Sequence, residues 1–113
     1  MLHKKALENI MLYKDNKEKE YKKITKFIDD IIIKNEEKIT NLIEKESIEG
    51  WKYARFELGT FNSDYFGDHL NKIEDYKPTI NFLDGFDLSI LSYIGLCSIK
   101  ERECAIKLDI CWK

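Results

Sequence analysis

The strongest constraint on the fold is the final segment, Cys104-Ala105-Ile106-Lys107-Leu108-Asp109-Ile110-Cys111-Trp112-Lys113. Cys104, Ile106, Leu108, Ile110 and Trp112 share one parity, and Ala105, Lys107, Asp109, Cys111 and Lys113 share the other. A period of two, with β-branched and aromatic residues on the apolar side, describes a half-buried strand. This strand is expected to close a sheet, and its Ile106-Leu108-Ile110-Trp112 face to be the floor on which helices pack.

The helices come earlier. In residues 2–13, Leu2, Ala6, Ile10 and Tyr13 lie within a narrow arc at 100° per residue. Residues 14–20 carry no apolar side chain, so they are either a solvated turn or a fully exposed stretch of helix. Over 17–46, Tyr21, Ile24, Phe27, Ile28, Ile31, Ile32, Ile39, Leu42 and Ile43 fit one broad face, with Ile33 the exception. As one helix this stretch would be about 45 Å long. A compact domain of this size is only about 34 Å across, so the helix must break or stick out. Asn35 followed by Glu36 and Glu37 reads as a helix start, with a cap and acids in the first turn, and places the break there. The alternative is an unbroken helix that pairs with a second copy and uses a buried Asn35 to set register.

Gly50 ends the helical part. Ala54, Phe56 and Leu58 then share one parity, and Trp51, Tyr53, Arg55 and Glu57 the other, as in a strand. Residues 59–78 are loop-like, with one short helix that Asp68 caps, that carries Leu70, Ile73 and Tyr76, and that Pro78 stops. Thr79–Leu83 is expected as a strand, Asp84-Gly85 as a turn, and Phe86–Ile99 as a strand, with a short helix as the alternative there. The fold class is α+β: N-terminal helices packed on a mainly antiparallel sheet of three to four strands with one short inserted helix. One domain over 1–113 is expected, helical over about 2–47 and sheet over about 51–113.

Composition narrows function. The chain is 43% hydrophobic, so it can bury a core without disulfide staples. Nineteen basic residues against 21 acidic ones leave a net charge of −2, with no general attraction for phosphate backbones. The only basic run, Lys17, Lys19, Lys22, Lys23 and Lys26, is partly neutralised by Asp15 and Glu18 at i,i+4 spacing. It reads as a solvated helix face, and a nucleic-acid role is not expected. No apolar run approaches the ~20 residues of a membrane span. With no export signal, the three cysteines are expected as reduced thiols in a cytoplasm.

Cys97, Cys104 and Cys111 are spaced by seven, which is not the close pairing that structural zinc requires. They read as small hydrophobes, and neither metal nor cofactor is expected. His3 lies near the terminus. His69 lies among Asp64, Tyr65, Asp68 and Asn71, a polar cluster of the type that can hold a general base, although a helix-surface histidine is the plainer reading. No nucleophile setting or phosphate loop accompanies it.

Acids are dense between Glu57 and Asp87: seven carboxylates face only Lys72 and Lys77, interleaved with Phe61, Tyr65, Phe66, Tyr76, Phe82 and Phe86. Aromatics supply buried anchors and acids supply steering, a combination suited to a basic protein partner. The candidate binding residues are Asp64, Tyr65, Phe66, Asp68, Glu74, Asp75 and Tyr76. The expected function is a small non-catalytic cytoplasmic binding protein that neutralises a larger, basic or nucleic-acid-handling protein by occlusion. Immunity proteins and phage inhibitors of host defence are settings that use such chains. The alternatives are a scaffolding protein that forms homo-oligomers, such as a homodimer through the 17–46 helix, and a small enzyme using His69 and nearby acids.

Overall fold

The structure is a computed structural model that describes residues 2–62, 69–96 and 102–112. Helix α1 runs Leu2–Lys34 without interruption, and helix α2 runs Glu36–Ile48. The polar stretch 14–20 is therefore exposed helix and not a turn. Charge pairs one turn apart line its surface: Lys17 Nζ lies 3.6 Å from Glu20, and Lys22 Nζ lies 3.8 Å from Glu18. Pairs of this kind each add a few tenths of a kcal/mol at most.

The helix breaks at Asn35. Its side-chain amide donates to the Ile31 carbonyl at 2.7 Å. Its backbone amide is shared between the carbonyls of Ile31 and Ile32, at 3.2 and 3.1 Å. The side chain thus closes α1 behind it and makes no capping bond to α2 ahead of it. Glu36 and Glu37 in the first turn of α2 complement the helix dipole. Beyond the break, Ile39 lies in the same core as Ile24, Ile28 and Ile32. The apolar face of 17–46, which the alternative reading gives to self-pairing, contributes Ile24, Ile28, Ile32 and Ile39 to the chain's own core, and Asn35 is bonded within its own helix.

Strands β1 (Tyr53–Asn62), β2 (Asp87–Leu96) and β3 (Arg102–Cys111) form an antiparallel sheet in the order β1-β3-β2. The final segment is therefore the middle strand. Cys104, Ile106, Leu108 and Ile110 are buried beneath the helices, and Trp112 packs against the edge of the same core. The pairing of β1 with β3 shifts by one residue between Glu57 and Gly59. This bulge swaps the faces. Phe61, odd-numbered like Tyr53, pairs with Cys104 on the core side and meets the Phe27 ring edge-on at 5.4 Å.

Between β1 and β2 the chain forms a single helical turn, α3 (Leu70–Ile73), which buries Ile73. The cap expected from Asp68 lies outside the described residues. Thr79–Leu83 is not a strand. Residues 79 and 80 are irregular and Asn81–Leu83 form a 3-10 turn. Its buried residues, Ile80 and Leu83, are three apart, which is the period of that turn and not of a strand. The region from Phe86 onward is strand over Asp87–Leu96, and residues 97–101 lie outside the described set.

The helix breaks, and it also sticks out. At 33 residues, α1 is about 50 Å long. The molecule measures 66 × 37 × 21 Å, with a radius of gyration of 17.8 Å, against about 13 Å for a compact chain of this length. Full burial on α1 begins at Ile24, Glu20 and Tyr21 still meet His69, and the exposed residues 2–16 form the projecting half. Among the described residues, no helix is long and apolar enough to cross a membrane.

Candidate functional site

Among the described residues, the helices lie on one side of the three-stranded sheet and the other side is left open. The register fixes what lies there. From one end to the other, the rows read Asp87–Cys111–Tyr53, Ser89–Asp109–Arg55, Leu91–Lys107–Glu57 and Tyr93–Ala105–Thr60. Tyr53 and Tyr93 are 41% and 49% exposed, so roughly half of each ring faces solvent. Leu91, in the row next to Tyr93, is half-buried.

Charge on this face is ordered. Arg55 donates to Asp109 through Nε at 2.7 Å and through Nη2 at 3.3 Å. That two-pronged bond raises the guanidinium pKa and fixes its plane beside the Tyr53 ring, 5.8 Å from the centroid. Lys107 Nζ sits 5.2 Å from the centre of the Tyr93 ring. Each cation is thus held against an aromatic face. Glu57, Asp87, Glu103 and Asp109 outnumber Arg55 and Lys107, so the described part of the face is acidic overall.

The residues singled out from sequence fall in three places. Asp64, Tyr65, Phe66 and Asp68 lie outside the described residues. Glu74 and Tyr76 make bonds within the chain: one Glu74 oxygen accepts from the Ser92 hydroxyl at 2.8 Å and from its amide at 3.3 Å. The Tyr76 hydroxyl contacts both oxygens of Asp29 at 2.8 Å. Partial burial raises the pKa of both groups, and for Tyr76 the bond to Asp29 raises it further. Asp75 is exposed. With Tyr13, Lys17, Tyr21, His69 and Lys72, it lines a groove of about 600 Å³ where α1 leaves the body.

His69 is not a surface histidine. It is 3% exposed and lies beside Tyr21, with ring centroids 5.8 Å apart. Its Nε2 lies 3.2 Å from a carboxylate oxygen of Glu20 on α1. Its Nδ1 is enclosed, with no hydrogen-bond partner among the described residues. A general base needs a ring nitrogen that a substrate can reach. Here one nitrogen faces Glu20 and the other faces the interior, so the ring ties α3 to α1. Cys104 is buried, and burial pushes its thiol pKa up, which suits a small hydrophobe and not a nucleophile. Among the described residues, no three His, Cys, Asp or Glu side chains are grouped to hold a metal.

Sequence reasoning missed Tyr53, Arg55, Leu91, Tyr93 and Lys107 as one surface. The signal was the odd parity of Tyr53, Arg55 and Glu57, which needed the β3 register to be joined to Leu91 and Tyr93. Comparison of the chain with protein-family models, curated proteins and solved structures returns no match.

Proposed function

We propose that this chain is a non-catalytic binding protein that docks on a larger, basic protein and occludes it through the open face of its sheet. The observation that carries this reading is the placement of the exposed Tyr53 and Tyr93 and the half-buried Leu91 on one face of the sheet, with an acidic excess around them. Tyrosines with apolar neighbours supply contact area at low entropic cost, and Arg and Tyr recur among residues that dominate binding energy. The acids steer approach to a cationic surface and select against acidic partners. On a nucleic-acid-handling partner, Glu57, Asp87 and Glu103 take the place of backbone phosphates. Toxin neutralisation and inhibition of host defence remain the settings this mechanism fits. The enclosed His69 supports the non-catalytic reading over an enzyme built on that residue.

The test is capture from host lysate on immobilised protein, compared across three variants. Tyr53→Ala with Tyr93→Ala removes the anchors. Glu57→Lys with Asp87→Lys reverses the face. Asp64→Lys, Asp68→Lys and Asp75→Lys reverse the segment singled out from sequence. The first two are expected to abolish capture of a basic protein that high salt also releases. If the third alone abolishes it, the partner docks on the 64–75 segment. Equal retention by all three, or no captured protein at all, would sink the proposal.

A further inference from the structure

We propose that the projecting half of α1 pairs antiparallel with the same segment of a second copy, each first turn seating in the other chain's groove. The stripe that buries Ile24, Ile28 and Ile32 is interrupted by the polar residues 14–20 and resumes beyond them. Leu2, Ala6, Leu7, Ile10, Met11 and Tyr13 continue it over an arc of about 180°. All six are exposed, Leu2 at 86%, Met11 at 66% and Tyr13 at 61%. Together the large side chains present on the order of 600 Å² of apolar surface, at the top of what a typical monomer leaves uncovered. A bare helical segment of this length is also marginal in water without a packed face. Two copies joined along the stripe bury at most about 1,200 Å² in total, the lower end of stable interfaces.

The groove decides the direction. It lies at the root of the overhang, and its α1 lining residues Tyr13, Lys17 and Tyr21 share the azimuth of the apolar stripe. A parallel pair would set groove against groove and leave both empty. An antiparallel pair with its two-fold at Met11 lays the first turn of each helix across the other's Lys17–Tyr21 turn, at the groove. The same register places Lys4 of one copy beside Glu18 of the other on the same flank. This surface is separate from the open sheet face, so the proposal stands or falls independently of the docking function.

Sedimentation equilibrium of the full chain at micromolar concentration is expected to give twice 13.5 kDa. Ile10→Glu with Met11→Glu should give a monomer with its sheet intact, because both side chains are exposed in the single chain. Lys4→Glu alone and Glu18→Lys alone should each weaken the dimer about threefold, as a rim ion pair does. The two changes together should restore it, which a parallel pair cannot do. A wild-type monomer, or a dimer that survives the Ile10 and Met11 changes, overturns the pairing. A double reversal no better than the singles overturns the antiparallel register.

Discussion

One carboxylate oxygen of Glu74 accepts from both the amide and the hydroxyl of Ser92, 18 residues away in sequence. Ser92 lies on β2, an outer strand of the sheet, so Glu74 occupies part of an edge that would otherwise invite another strand. Glu74→Ala is expected to lower unfolding free energy by about 1 kcal/mol and to raise the rate of aggregation at equal fraction folded. Urea melts with turbidity readings check this. Unchanged turbidity would show that other residues cover the edge.

The Tyr76–Asp29 bond gives stability a dependence on alkaline pH. The folded-state pKa of Tyr76 lies above its ordinary value of 10.0. Its contribution is therefore fully present below pH 10 and is lost as pH rises toward the folded value, because the unfolded chain releases that proton first. Tyr76→Phe should lack this alkaline slope. It should also cost about 1–3 kcal/mol at neutral pH, since the Asp29 carboxylate loses its donor. The raised pKa of Asp29 works in the same direction at the acid end, where falling pH relieves the cost of holding it ionised. Denaturant midpoints from pH 4 to 11 for both proteins decide the matter, and parallel profiles would refute it.

Leu108 and Ile110 are fully buried on the middle strand. Leu108→Ala or Ile110→Ala is expected to cost about 2–5 kcal/mol. Tyr53→Ala and Tyr93→Ala, on the opposite side of the sheet, should each stay within about 1 kcal/mol of wild type. A stable Leu108→Ala protein would place the core elsewhere. A Tyr93→Ala protein that unfolds would mean the open face is structural.

Gly59 sits at the bulge with a φ of 150°, and a Cβ added there would lie 2.8 Å from the Phe61 ring. Gly59→Ala is expected to cost about 1–3 kcal/mol through backbone strain and a displaced ring. Thermal unfolding measures it. A neutral substitution would show that β1 relaxes its bulge freely.

Much of the fold was legible where burial imposes a period. The alternation of Cys104 to Trp112 marks the core side of β3, and Asn35 with two following acids marks the helix break. The continuity of α1 through 14–20 was not legible. A helix that buries no apolar side chain there leaves no apolar rhythm, and only pairs such as Glu18–Lys22 hint at it. Thr79–Leu83 misled because β-branched residues suggest a strand, whereas the spacing of Ile80 and Leu83 belongs to a 3-10 turn.

The candidate site was less legible, for a different reason. Tyr53 and Tyr93 are 40 positions apart and never pair directly; each lies against β3. Only the strand order and the two registers set them on one face. Local composition drew attention to residues 64–76 instead, and there Glu74 and Tyr76 hold the chain together.

The position of β3 between strands that do not touch each other bears on how the chain acquires its shape. Among the described residues β1 and β2 share no ladder, so neither of the pairings seen here can form within the first 96 residues. Every strand pairing waits for residues 102–111. On a ribosome, the isoleucines of α1 and α2 would remain without a floor until that last strand emerged. Pairing of the sheet is then a late step, after both helices are already made.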